Sequence, residues 1–171
     1  SLPTLKSTES TNINEGRILA PLSLTQQRLW FIEKVQGHST NYNMPFALTL
    51  KGEVDPKNIE AALRHVILQH EILRTTYEEV NGQAQQCIHQ DIAGLFALTH
   101  HDKLYVKAQN TKTKSDNDKP IEFTEALKPT LIGLAQTPFE LSCELPIRAH
   151  WFSQNDRQEN VLFINVHHIA F

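Results

Sequence analysis

The chain has 171 residues, 40% hydrophobic and 20% charged, which is enough for a packed core and too apolar for wholesale disorder. It is long enough for one domain, or for one lobe of a larger one. Lys and Arg total 16 against 19 Asp and Glu, a net charge of -3: this leaves no basic excess for phosphate backbones, and no apolar run approaches the ~20 residues of a membrane span.

In chain order, residues 1–20 are rich in Ser, Thr, Asn and Lys and read as a leader or linker. A helix is predicted from Ser23. Gln26 follows three residues later, the spacing of a capping box, and Gly37 ends the helix. Leu24, Phe31 and Val35 share one face with Arg28, while Leu29, Trp30 and Ile32 widen the apolar surface. Residues 45–54 alternate as a strand through Phe46, Leu48 and Leu50. A second helix starts with Asp55 as N-cap and Pro56 at its first position. Its expected buried stripe is Ile59, Leu63, Val66 and Ile67, with Glu60 and Arg64 paired outside.

Residues 73–89 read as a hairpin turned at Asn81-Gly82. Residues 100–120 are polar, so His100 and His101 are expected in a solvated loop. A helix is expected over 123–136, kinked or interrupted at Pro129. Strands over 147–152 and 161–171 close the chain, and the run from Val161 to Val166 suits a central strand covered on both faces. This order implies an α/β or α+β fold, a mixed sheet flanked by helices.

The polar N-terminus carries no secretory pattern, and Cys87 and Cys143 lack CxxC spacing. A reduced, cytoplasmic setting is the simplest expectation. No Gly-rich phosphate loop and no GxSxG elbow occurs, so nucleophilic catalysis has no local support. The pair His167-His168 is the feature with chemical content. Successive residues of a strand point to opposite faces, so the two imidazoles do not readily chelate one metal. Either both rings finish a buried strand with satisfied nitrogens, or one is held in the core while the other faces a cavity and exchanges protons.

Three stretches carry a resemblance: Ser23–Phe31 (SLTQQRLWF), Gln69–Tyr77 (QHEILRTTY) and Asn165–Phe171 (NVHHIAF). In order and spacing they resemble the first three core motifs of condensation domains of nonribosomal peptide synthetases, and Thr137–Phe152 resembles the stretch before the third. That third motif is His-His-any-any-any-Asp-Gly, of which His167 to Phe171 supply the first five residues. The resemblance covers about residues 20–171. It implies the N-terminal lobe of a two-lobed, chloramphenicol acetyltransferase-like pseudo-dimer, with residues 21–171 ending inside the motif.

The implied reaction is amide formation between a donor acyl thioester and an acceptor aminoacyl thioester. Both substrates arrive on the 4'-phosphopantetheine of carrier domains, and no cofactor or metal is bound directly. The implied partners are upstream and downstream carrier domains, an adjacent adenylation domain and the C-terminal lobe, with no nucleic acid and no membrane. His168 is the implied catalytic residue. It either takes the amine proton or positions the amine and stabilises the tetrahedral intermediate. His167 is implied to be structural. Arg74, with His70 and Glu71, belongs to the second motif and is expected to shape the lobe. Ser23, Gln27, Arg28 and Trp30 belong to the first and are expected to pack its helix. The chain alone is expected to be inactive. The alternatives are an epimerisation domain or CoA-type acyltransferase of the same superfamily, and a non-catalytic recruitment domain.

Overall fold

Two caps set where the first helices begin. In the computed structural model Ser23 Oγ accepts the N–H of Gln26 at 3.3 Å, and Gln26 Oε1 accepts the N–H of Ser23 at 2.8 Å, a complete capping box. Asp55 Oδ1 accepts the N–H of Lys57 at 2.9 Å, with Pro56 at the first helical position. The structure describes residues 13–14, 16–37, 39–101, 123–154 and 159–171. Its elements run β1 (Ile13–Asn14), β2 (Arg17–Pro21), α1 (Leu24–Gln36), β3 (Asn43–Lys51), α2 (Pro56–Gln69), a 3-10 turn (Glu71–Arg74), β4 (Thr75–Val80), β5 (Gln83–His89), β6 (Leu98–His101), α3 (Phe123–Ala135), β7 (Ile147–Gln154), β8 (Glu159–His167) and a closing 3-10 turn (His168–Ala170).

The strands form two sheets rather than one. The first has the order β1-β2-β5-β4 and is antiparallel throughout. Its β4–β5 hairpin turns at Asn81 and Gly82, both with positive φ (53° and 78°), as a type I′ turn requires. The second has the order β3-β8-β7-β6, with β6 parallel to β7 and the other pairs antiparallel. This is the mixed α/β architecture expected, with β8 central in its sheet.

Alternation along β8 builds two cores. Leu162 and Val166 pack with Trp151, Ala149 and Ile67 of α2 on one face. Val161 and Phe163 pack with Phe152 and with Phe123 and Leu127 of α3 on the other. Each such side chain contributes about 1.5–3 kcal/mol on burial. A third cluster joins Leu22 and Leu29 to Tyr77 of the first sheet and to Phe139, Leu141 and Ile169. It anchors α1 against the turn that follows β8.

Several sequence expectations are corrected. Arg17–Ala20, read as leader, lie in β2 and pair with β5. Leu24, Phe31 and Val35 are 80%, 66% and 67% exposed, and the buried face of α1 carries Gln26 and Leu29. Apolar residues surround α1, so periodicity does not choose a face, and the buried bonds of Gln26 do. In α2 Ile67 is buried and Val66 exposed, and Arg64 donates to the carbonyl of Phe96 at 2.6 Å rather than pairing outside with Glu60. Leu73 and Arg74 belong to the 3-10 turn before the hairpin. Phe46 and Leu48 on β3 are half-exposed, while Leu50 on the same face packs against the core.

His100 and His101 lie on β6 rather than in a loop, with His100 exposed and the His101 ring stacked on Phe152. Of the expected polar loop, residues 102–120 fall outside the described residues. Pro129 does not interrupt α3, because the packing of Phe123, Leu127, Leu131 and Leu134 outweighs one missing helical bond. The last strand stops at His167 instead of running to Phe171.

Candidate active site

The end of β8 divides the two histidines. His167 is 1% exposed, and its backbone N–H donates to the carbonyl of Pro146 at 2.9 Å. Here the chain leaves extended geometry and enters the turn His168–Ala170. His168 is exposed. Its backbone N–H donates to the carbonyl of Tyr42 at 2.8 Å, and its carbonyl accepts the N–H of Phe171 at 3.1 Å. The rings of His168 and Phe171 meet edge-on, 6.0 Å between centroids.

The His167 ring is held on every side. Nδ1 accepts the N–H of Ile169 at 3.1 Å, and Nε2 lies 3.4 Å from Oε1 of Glu33 on α1. Phe139 meets the ring edge-on at 5.8 Å, and Tyr42 lies tilted at 6.0 Å. Burial pulls the His167 pKa below its ordinary value of 6.5, against the opposing pull of Glu33, so the ring is neutral near neutral pH. An open cavity of about 310 Å³ lies beside it, lined by Trp30, Glu33, Lys34, Phe139, Leu141 and Ser142. His168 is not among its lining residues.

The loop before β7 is fixed by Arg148. It donates from Nε to Glu144 Oε2 at 2.8 Å, from Nη1 to the carbonyl of Thr137 at 3.0 Å and from Nη2 to that of Pro138 at 2.6 Å. Its guanidinium carbon lies 4.1 Å from the Phe139 ring centre. Asn43, opposite His167 in the β3–β8 register, donates to the carbonyls of Ala135 and Thr137 at 2.8 and 2.9 Å. The floor beneath the turn is therefore a network of charge-assisted and backbone bonds.

Of the other motif residues, Arg74, Arg28 and Gln27 stand apart from this turn, while Trp30 lines the cavity beside His167. Arg74 donates to the carbonyl of His89 at 2.6 Å and pairs with Glu71 at 3.3 Å, tying the 3-10 turn to β5. Arg28 is exposed on α1, Gln27 donates to the carbonyl of Leu22 at 3.0 Å, and Trp30 packs toward Tyr77 with Lys34 over its ring. Sequence reasoning missed Glu33, Tyr42 and Arg148. The signal for Glu33 was available: it lies seven residues after Gln26, two turns along the same helix face. Among the described residues no group of three His, Cys, Asp or Glu side chains is placed to hold a metal ion.

Comparison with known proteins gives this turn a family. A family model for the condensation domain matches residues 17–171, and the chain belongs to that family. A linear gramicidin synthase of Brevibacillus parabrevis is 36% identical over 149 residues, 87% of this chain and 3% of that protein. The starter condensation domain of rhizomide synthetase RzmA superposes with a TM-score of 0.69 at 20% identity, over 88% of this chain and 32% of that one. A mutant of the same domain in complex with C8-CoA and Leu-SNAC matches with a TM-score of 0.68 at 19% identity, over 88% of this chain and 31% of that one. The fold is thus that of condensation domains, and this chain spans about a third of the solved domain.

Proposed function

We propose that this chain is the histidine-bearing, N-terminal lobe of a condensation domain, and that the complete domain joins a donor acyl thioester to the amine of an acceptor aminoacyl thioester. The observation that carries the reading is the division of the histidine pair: one imidazole is buried and fully bonded, and its neighbour is exposed on a turn pinned at both ends. An exposed, positioned imidazole is suited to take a proton from an attacking amine or to orient it and donate to the oxyanion.

In this reading His168 acts at the reacting atoms and His167 supports it. Arg74 and Arg28 shape the lobe, which includes β2 from Arg17 onward. Donor and acceptor arrive on the 4'-phosphopantetheine arms of carrier domains, next to an adenylation domain, and a C-terminal lobe completes the site in a cytoplasmic synthetase. Among the described residues no helix is long and apolar enough to cross a membrane. The complexed starter domain's C8-CoA makes acyl-CoA the donor to test beside a carrier-bound thioester.

The test is amide formation by the complete domain with loaded carriers. His168→Ala is expected to lower the rate about 100-fold or more. A wild-type rate in that variant removes His168 from the mechanism. Turnover with acyl-CoA alone would move the donor assignment to the CoA-type alternative.

A further inference from the structure

Glu33 is a carboxylate on the buried side of α1, its side chain 10% exposed. A carboxylate so placed persists only when its oxygens find partners. Oε1 faces His167 Nε2 at 3.4 Å, and Oε2 accepts the N–H of Ser39 at 3.4 Å. These two partners lead to the two sides of His168. His167 precedes it in the chain. Ser39 opens the short loop that reaches Tyr42, whose carbonyl accepts the His168 N–H.

The chemistry of the His167 ring follows from its partners. The N–H of Ile169 is a backbone donor and points at Nδ1, so Nδ1 is the unprotonated nitrogen. A neutral ring then carries its proton on Nε2, the atom that faces the Glu33 carboxylate. Without an acceptor there, Nε2–H would be a buried donor with no partner, and the ring would gain by turning away. Turning would release Nδ1 from Ile169 and loosen the turn that begins at His168. A similar arrangement, a carboxylate fixing the tautomer of an imidazole, recurs wherever ring orientation matters.

We propose that Glu33 is a positioning residue: it holds His167 as the Nε2–H tautomer, and through Ile169 and Ser39 it fixes the turn that presents His168. The second half of this statement rests on the proposed role of His168. The first half does not.

Two measurements separate them. In the 171-residue chain with ring-15N histidine, long-range 1H–15N spectra should show His167 as a single Nε2–H tautomer. Glu33→Gln, which keeps an acceptor oxygen, should preserve it, and Glu33→Ala should give a second or exchange-broadened set of ring signals. A proton on Nδ1 in the wild type, or unchanged spectra in Glu33→Ala, would overturn the assignment. In the complete condensation domain Glu33→Ala should lower kcat about tenfold or more while KM for the donor moves less than about twofold, and Glu33→Gln should restore most of the rate. Should Glu33→Ala not fold, Glu33→Asp carries the same expectation, since it keeps the charge and draws the acceptor back. Wild-type kcat in these variants beside an inactive His168→Ala sinks the positioning role and leaves the proposed function standing. A fully active His168→Ala sinks the proposed function, and the tautomer measurement still decides what Glu33 does to His167.

Discussion

His101 Nε2 lies 3.1 Å from Nδ1 of His150, joining the edge strand β6 to β7 while the His101 ring stacks on Phe152 at 4.3 Å. The bond requires one ring to donate and the other to accept, and it is burial that disfavours a charged His150. Burial lowers its pKa from 6.5 to about 4, and the positive charges that His101 and Arg148 bring act in the same direction.

The sign follows from linkage. Between about pH 6.5 and about pH 4 the unfolded chain binds a proton at His150 that the folded chain refuses. Stability is therefore intact above pH 6.5 and is lost as pH falls through that window. The site is partly exposed, and screening trims the effect to about 1 kcal/mol. Burial also lowers His167 and His89, which add to the slope with the same sign. Urea midpoints recorded from pH 7 to pH 4 should fall, and less steeply in His150→Leu. Parallel curves for the two proteins would show that the pair is not a source of acid sensitivity.

A second prediction concerns Arg148. Its fork holds Glu144 and two carbonyls, and its flat face covers Phe139, which abuts His167. Lysine has neither the fork nor the planar face. Arg148→Lys should cost about 1–3 kcal/mol in urea denaturation. It should also shift the ring signals of His167, whereas Arg28→Lys, on the exposed face of α1, should leave them in place.

The buried face of α1 can be tested by a pair of truncations. Leu29→Ala removes a side chain that is 9% exposed and should cost about 2–4 kcal/mol. Phe31→Ala removes a larger side chain that is mostly in solvent and should change stability by less than about 0.5 kcal/mol. The reverse order, measured as urea midpoints, would restore the Leu24–Phe31–Val35 face as the one that packs.

These contrasts show which parts of the fold were legible. Ser23 with Gln26, Asp55 with Pro56, and Asn81 with Gly82 each act through a bond or a dihedral within four residues, and all three appear as read. The split of the strands into two sheets depends on pairings such as Leu19 with Cys87 and His101 with Phe152, which no local pattern encodes. The site shows the same division. His167 and His168 stand out in sequence because a buried imidazole is costly, and their neighbours in the chain mark the family. Glu33, Tyr42 and Arg148 act on that pair from 19 to 134 residues away or through the loop before β7. A glutamate on a helix reads as solvated until the helix has a neighbour.

Gln26 gives the last prediction, because it is both a cap and a core residue. Its backbone and Oε1 complete the box with Ser23, while Nε2 donates to the Tyr77 hydroxyl at 3.3 Å and to Gln86 Oε1 at 3.1 Å. Burial holds the Tyr77 hydroxyl well above its ordinary pKa, so it stays protonated and available as an acceptor. Tyr77→Phe removes one shared bond and should cost about 1 kcal/mol. Gln26→Ala removes the side-chain half of the box and two buried bonds, and should cost about 2–3 kcal/mol. Because the two residues share a bond, the double variant should be more stable than the sum of the single losses implies, by about 0.5–1 kcal/mol. Strict additivity in a urea-denaturation cycle would mean that the α1 cap and the first sheet are energetically independent, and that the contact between Gln26 and Tyr77 does not hold α1 over the histidine turn.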